Sequence, residues 1–114
     1  MHEFGLAKWI IEDVAERAEQ LKPRRVTKIE IELGDLAGVQ YESLLFCLES
    51  VVKTSKIPDV QILIHRVPGK GRCAVCDELY PLETIFMRCP KCESPNPIII
   101  QGKEFRIASL QVMT

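Results

Sequence analysis

The stretch that most limits how this chain can fold is Cys73-Ala-Val-Cys76, twelve intervening residues, then Cys89-Pro-Lys-Cys92. Each Cys-x-x-Cys pair sits on a tight turn that aims two sulfurs at one point, and two such turns complete a tetrahedron. Zinc accepts that geometry without electronic penalty, and thiolate is among its preferred ligands. The competing readings are two disulfides or four buried thiols. Nothing in the chain resembles a secretory signal, so a reducing cytoplasm is expected and disulfides are not. Cys73, Cys76, Cys89 and Cys92 are therefore the expected ligands of a structural Zn(II).

A chain of 114 residues is one ordinary domain, or a small domain with a metal-stapled module. Apolar residues make up 46%, enough for one core, and the net charge of -1 argues against a general binder of nucleic acid or anionic membrane. No apolar run approaches the ~20 residues of a membrane-spanning helix.

The first 21 residues have helical periodicity, with Leu6, Trp9, Ile10, Val14, Ala18 and Leu21 at three- and four-residue steps. Lys22, Arg24, Arg25 and Lys28 follow; a cationic cluster there suits the negative end of the helix dipole and is read that way in preference to a phosphate site. Strict alternation then places Thr27, Ile29, Ile31 and Leu33 on one face of a strand and Lys28, Glu30 and Glu32 on the other. Gly34-Asp35 and Gly38 end it. Tyr41, Leu44, Leu45, Leu48, Val51 and Val52 form the stripe of a second helix, with Cys47 beside it as a small hydrophobe. Val60, Ile62 and Ile64 alternate in a second strand that ends at His65, read as solvated or hydrogen-bonded. Pro68-Gly69-Lys70-Gly71 reads as a hinge. After the cysteines, Ile98–Ile100 and Phe105–Val112 read as strand, with a phase shift near Ala108-Ser109. The final strand is expected to rejoin the sheet of residues 25–34 and 59–67. The fold expected is α+β: two helices on a three-stranded sheet, formed by residues 1–68 and 98–114, with an inserted four-cysteine zinc-ribbon-like domain at 69–97.

The inserted module has few apolar residues (Val75, Leu79, Tyr80, Leu82, Ile85, Phe86 and Met87) to set against a backbone ordering cost of about 1–2 kcal/mol per residue. A structural zinc contributes roughly 10–16 kcal/mol, so the module is expected to need its metal. Between Lys70 and Glu93, Lys70, Arg72, Arg88 and Lys91 are balanced by Asp77, Glu78, Glu83 and Glu93. Zinc with four thiolates adds a formal -2, which those four cations are expected to offset locally. A net-anionic ribbon with one exposed-looking aromatic, Tyr80, is a poor surface for tracking phosphates. This disfavours the alternative of a zinc-ribbon adaptor in transcription or translation. A zinc held by four cysteines also leaves no open position for water or substrate, and no catalytic arrangement is readable with only His2 and His65 as histidines, so no enzyme activity is expected.

The tripeptide Met1-His2-Glu3 is the other chemical feature. The size of His2 is expected to protect Met1 from removal. The Met1 amine, the His2 amide nitrogen and the His2 imidazole can form fused chelate rings on one ion, with the amide or carboxylate of Glu3 as a fourth donor. Nitrogen-rich tetragonal ligation suits Ni(II) or Cu(II), and affinity order alone favours copper. On the tripeptide alone, an uninvolved terminal histidine is the simpler reading.

Met1-His2-Glu3 opening a helix, Leu33-Gly34-Asp35 before Gly38-Val39, and two cysteine pairs before Gln101-Gly102-Lys103-Glu104 together resemble the HypA/HybF family across nearly the whole chain. The resemblance implies a cytoplasmic nickel metallochaperone for [NiFe] hydrogenase maturation, with Ni(II) as transferred cargo and Zn(II) as a structural ion. It implies that His2 is the essential nickel ligand, that Glu3 assists, and that the four cysteines hold zinc. It further implies a HypB-type nickel-handling GTPase and the hydrogenase large subunit as partners, with no nucleic acid or membrane. Some members also serve urease maturation. Some carry an acidic residue near the nickel shortly after the first strand, where this chain reads Gly38-Val39-Gln40-Tyr41. An exposed sheet edge or the 68–71 hinge leaves monomer and homodimer both open.

Overall fold

The computed structural model describes residues 2–114. The chain forms two compact units: Met1–Ile31, Val39–His65 and Arg106–Thr114 make the first, and Glu32–Gly38 and Arg66–Phe105 make the second. In chain order the elements are α1 (Glu3–Leu21), β1 (Arg25–Gly34), α2 (Tyr41–Lys53), β2 (Gln61–Val67), β3 (Lys70–Cys73), β4 (Leu79–Pro81), β5 (Pro97–Gln101) and β6 (Phe105–Met113). One three-stranded sheet has the order β2-β1-β6, so the last strand returns beside the first as its pattern requires. The other has the order β4-β3-β5 and contains β5, whose Ile98–Ile100 run is thus part of the cysteine-bearing unit.

In the first unit the alternation of β1 is kept from Lys28 onward: Ile29, Ile31 and Leu33 are buried, while Lys28, Glu30 and Glu32 are half-buried; at the start of the strand Val26 is buried and Thr27, expected on the core face, is half-buried. In α2, Leu44, Leu48 and Val52 face the core and Cys47 is half-buried. In α1 the observed core face differs from the expected one. Ala7, Ile10, Ile11 and Val14 are buried, whereas Trp9 is 59% exposed. Both faces have helical spacing, but Trp9 stands five residues from Val14, about 140° around the helix. The face carrying Ala7 and two adjacent isoleucines presents branched side chains and one small residue to its neighbours, and this face wins.

Glu30 is a polar junction on the other face of β1. It accepts from the Ser109 hydroxyl on β6, contacts the His65 imidazole at 3.2 Å on β2, and lies 3.8 Å from the Lys28 ammonium. The Ser109 bond, then His65, hold its carboxyl below the ordinary value.

In the second unit, β3 pairs antiparallel with both neighbours, with Gly71 opposite Tyr80 on one side and Ile99 on the other. Its core is Cys73, Tyr80, Leu82 and Cys89, against which Leu36, Met87 and Ile99 pack. Tyr80, expected at the surface, is only 3% exposed; the aromatic that faces water is Phe86, at 81%. The stretch 68–71, expected as a hinge, is tied backbone. The Gly69 carbonyl accepts from the Leu82 amide at 3.0 Å and the Pro68 carbonyl from the Gln101 side chain at 2.9 Å. Gly34 and Gly102 are glycine for lack of room. The Gly34 amide donates to the Glu104 carbonyl and the Leu36 amide to the Gly102 carbonyl, each at 2.7 Å. A Cβ on Gly34 would collide with the Gly102 backbone, and Gly102 adopts φ +119, a region L side chains rarely enter.

Ile29→Ala should cost about 2–5 kcal/mol in urea unfolding, as for other fully buried truncations, whereas Trp9→Ala should stay within about 0.5 kcal/mol as a surface change. Glu30 supplies a second expectation, with its sign fixed by the lowered carboxyl. Its stabilising effect is present above the ordinary value of 4.5 and lost as pH falls below it. Glu30→Gln should therefore flatten the acid limb of the stability profile and leave the neutral plateau lower.

Candidate metal centre

The two cysteine pairs fold as the same knuckle twice. The Cys73 amide donates to the Glu78 carbonyl at 2.8 Å, and the Asp77 amide donates back to the Cys73 carbonyl at 3.0 Å. Sixteen residues on, the Cys89 amide donates to Ser94 at 3.0 Å and the Glu93 amide to Cys89 at 2.9 Å. The fifth residue of each turn is left-handed, Asp77 at φ 69 and Glu93 at φ 63. Within each loop the leading sulfur accepts two amides. Cys73 Sγ takes Val75 and Cys76 at 3.4 Å, and Cys89 Sγ takes Lys91 at 3.4 Å and Cys92 at 3.5 Å.

These turns place all four sulfurs within 4.8 Å of one another. Cys73 and Cys92 are 3.4 Å apart and Cys76 and Cys89 3.6 Å. A disulfide needs about 2.05 Å, whereas sulfurs about 2.3 Å from a tetrahedral zinc are separated by about 3.8 Å. The donor set and spacing fit zinc. Cys73 and Cys89 are buried, Cys76 is half-buried and Cys92 is exposed, so the centre has an inner and an outer side. Zinc bound here supplies charge and a cross-link; the chain's amides orient the sulfurs that hold it.

The same amides set the thiol acidities. The Cys73 thiol is drawn down to about 6, first by the Cys76 amide and, against burial, by the Val75 amide. At Cys89 burial opposes ionisation, but the Cys92 and Lys91 amides win and the thiol is lowered. Cys92 is pushed up to about 12. The Ser94 amide favours its thiolate, but Cys73 sulfur and burial outweigh that donor. An arriving cation displaces the protons that remain on the four thiols. The flanking cations act less directly than their positions in the chain suggest. Arg72 pairs with Asp77 at 3.2 Å and Arg88 donates to the Glu93 carbonyl at 3.2 Å. The Tyr80 hydroxyl is buried without a partner, and burial, then the neighbouring thiolates, raise its pKa.

At the other end of the sequence, His2 is exposed at the N-cap of α1, and its carbonyl accepts the Leu6 amide at 3.0 Å. Glu3 turns inward and is only 7% exposed. Its Oε2 accepts the backbone N–H of Gln40, at the N-cap of α2, at 3.2 Å; that bond, against burial, lowers its pKa. Met1, whose amine the sequence offers as a ligand, lies outside the described residues. Among the described residues the four cysteines are the only group of three or more metal-ligating side chains.

An α+β chain with a closed tetrathiolate centre is a metal-binding protein of a narrow kind. The family model for hydrogenase/urease nickel incorporation, metallochaperone, hypA matches residues 1–112. A hydrogenase maturation factor HypA of Parabacteroides distasonis is 37% identical over 112 residues, 98% of this chain and 97% of that protein. One from Chlorobaculum parvum is 32% identical over 98% of this chain and 99% of that protein. Two solution structures share the fold at 23% identity: the Ni metallochaperone HypA from Helicobacter pylori, TM-score 0.63 over 97% of each chain, and a HypA protein, TM-score 0.69 over 99% of this chain and 97% of that one. The chain belongs to the HypA family of nickel-incorporation metallochaperones.

Replacing Cys73 or Cys92 with Ser should remove zinc, read as metal content after dialysis. Chelation of the native protein should collapse amide dispersion across residues 70–101. The helical circular dichroism signal of α1 and α2 should survive, because those helices belong to the unit without cysteine ligands.

Proposed function

We propose that this chain binds Ni(II) through the Met1 amine, the His2 amide nitrogen and the His2 imidazole, with Glu3 assisting. It then delivers the ion during [NiFe] hydrogenase maturation. The observation that carries this reading is the family match running from residue 1 to 112, which includes the tripeptide. The exposed position of His2 supports it, since the imidazole is accessible to an incoming ion. Its N-cap position sits at the positive end of the α1 dipole, which opposes a bound cation and suits release. Glu3 brings a lowered carboxyl close by in sequence, but its Oε2 already holds the Gln40 amide, so its assistance is positional as well as electrostatic.

In this reading the unit carrying α1 handles nickel and the cysteine unit is folded by a zinc that is not transferred. The chain works in the cytoplasm with a HypB-type GTPase and the hydrogenase large subunit, and catalyses no reaction itself. The closed donor set of Cys73, Cys76, Cys89 and Cys92 supports a structural ion. No helix among the described residues is long and apolar enough to cross a membrane.

A nickel titration by calorimetry, with metal content measured in parallel, tests the proposal on three proteins: native terminus, His2→Ala and an N-terminally extended form. Nickel binding should be lost in both altered proteins while zinc stays at about one per chain. An extended protein that binds nickel with native affinity would rule out the amine-plus-imidazole site.

A further inference from the structure

A cleft of about 1110 Å³ opens in the first unit where α1 ends, β1 begins and the α2–β2 connection passes. Its rim carries Lys22, Arg24, Arg25 and Lys56 against Glu19 and Asp59. Lys22 is paired with Glu19 at 3.0 Å, but Arg24, Arg25 and Lys56 have no ion-pair partner among the described residues. Three unpaired cations gather here in a chain whose net charge is -1. Pro23, Ile57 and Pro58 supply apolar lining. The dipole argument accounts for cations following α1, and Lys56, three residues past the end of α2, brings a cation from a second helix terminus to the same rim.

We propose that this cleft binds an extended segment of a partner protein that carries carboxylate side chains spaced by apolar ones. The cations match the carboxylates, and the proline and isoleucine surface matches the apolar side chains. A peptide fits better than a phosphate-bearing ligand for a reason of polarity. The helix end at this cleft is the C-terminus of α1. The Leu21 carbonyl already accepts the Arg24 amide at 3.0 Å, but the negative end of the helix dipole still repels dense negative charge, whereas a peptide backbone offers N–H groups to the carbonyls before it. Phosphate sites rely on the opposite arrangement, converging amides at a helix N-terminus. The cleft stands at the other end of α1 from His2, a helix length of roughly 28 Å away at 1.5 Å per residue. The proposal therefore goes beyond the nickel reading and does not depend on it.

The test is an amide-shift titration of the full, zinc-loaded protein with a short capped peptide of repeating Glu-Glu-Leu. Shifts should centre on residues 22–27 and 56–60. Binding should weaken about tenfold or more between low and high salt, as exposed charge pairs are screened. The Gln-Gln-Leu counterpart should not bind. A variant carrying Arg24→Gln, Arg25→Gln and Lys56→Gln should lose the peptide and keep native nickel and zinc stoichiometry. If that variant fails to fold, Lys56→Glu alone, an exposed change, should still weaken binding severalfold. Shifts centred elsewhere, or a folded triple variant with undiminished affinity, would overturn the proposal. So would tripolyphosphate or a single-stranded oligonucleotide moving the same amides at lower concentration than the peptide.

Discussion

Four sulfurs held within 4.8 Å of one another form a constraint that works only with a cation at the centre. Each leading sulfur is aimed by two amides of its own loop, and each loop is closed by a residue in a left-handed conformation that is neither glycine nor asparagine. Such a conformation costs Glu93 about 1–2 kcal/mol and Asp77, whose short polar side chain tolerates it better, less. The apolar core beside them is small: Tyr80, Leu82 and the two inner cysteines, with Leu36, Met87 and Ile99 against it. Val75, Leu79, Ile85 and Phe86, which a hydrophobic core would claim, are all exposed. The order of the second unit therefore traces back to metal coordination. Its sheet of β3, β4 and β5 consists of short strands that lead into and out of the knuckles.

The first unit works by a different rule, and this difference explains what could be read from the residues. Strand β1 was legible because period-two alternation has one solution once one face is apolar. Helix α1 was legible as a helix but not in its rotation. Leu6, Trp9, Ile10 and Val14 satisfy the same spacing as Ala7, Ile10, Ile11 and Val14, and only tertiary packing chooses between them. The four-cysteine cluster was legible because its spacing reflects turn geometry. The amides that aim the sulfurs were not, since backbone donors leave no trace in residue type. Tyr80 was misplaced because its neighbours Leu79 and Pro81 give no indication that β4, where Tyr80 stands opposite Gly71, turns the tyrosine inward. The pairing of Gly34 with Gly102 joins two segments far apart in the chain, so each looked like an ordinary turn.

Charge is arranged on the same divided plan. Around the cysteines, cations and anions neutralise each other locally, as with Arg72 and Asp77. Across the sheet, Glu30 gathers Ser109, His65 and Lys28 from three strands into one junction. Past the end of α1, Lys22, Arg24, Arg25 and Lys56 line one cleft with only Glu19 and Asp59 as acidic neighbours, an excess of positive charge that the cysteine loops do not show.

The bond between Glu3 and residue 40 has a consequence for how this protein can vary over time. Glu3 Oε2 grips a main-chain N–H, and the Gln40 side chain is turned to Ser43 instead, accepting its hydroxyl at 2.9 Å. Any amino acid with a peptide hydrogen satisfies Glu3 equally well, so position 40 is free to drift in chemistry so long as proline is avoided. Position 3 has less latitude, because the acceptor must be a side-chain oxygen at that reach. A comparison of distant relatives that scores each column alone would thus rank one half of a single interaction as fixed and the other half as noise.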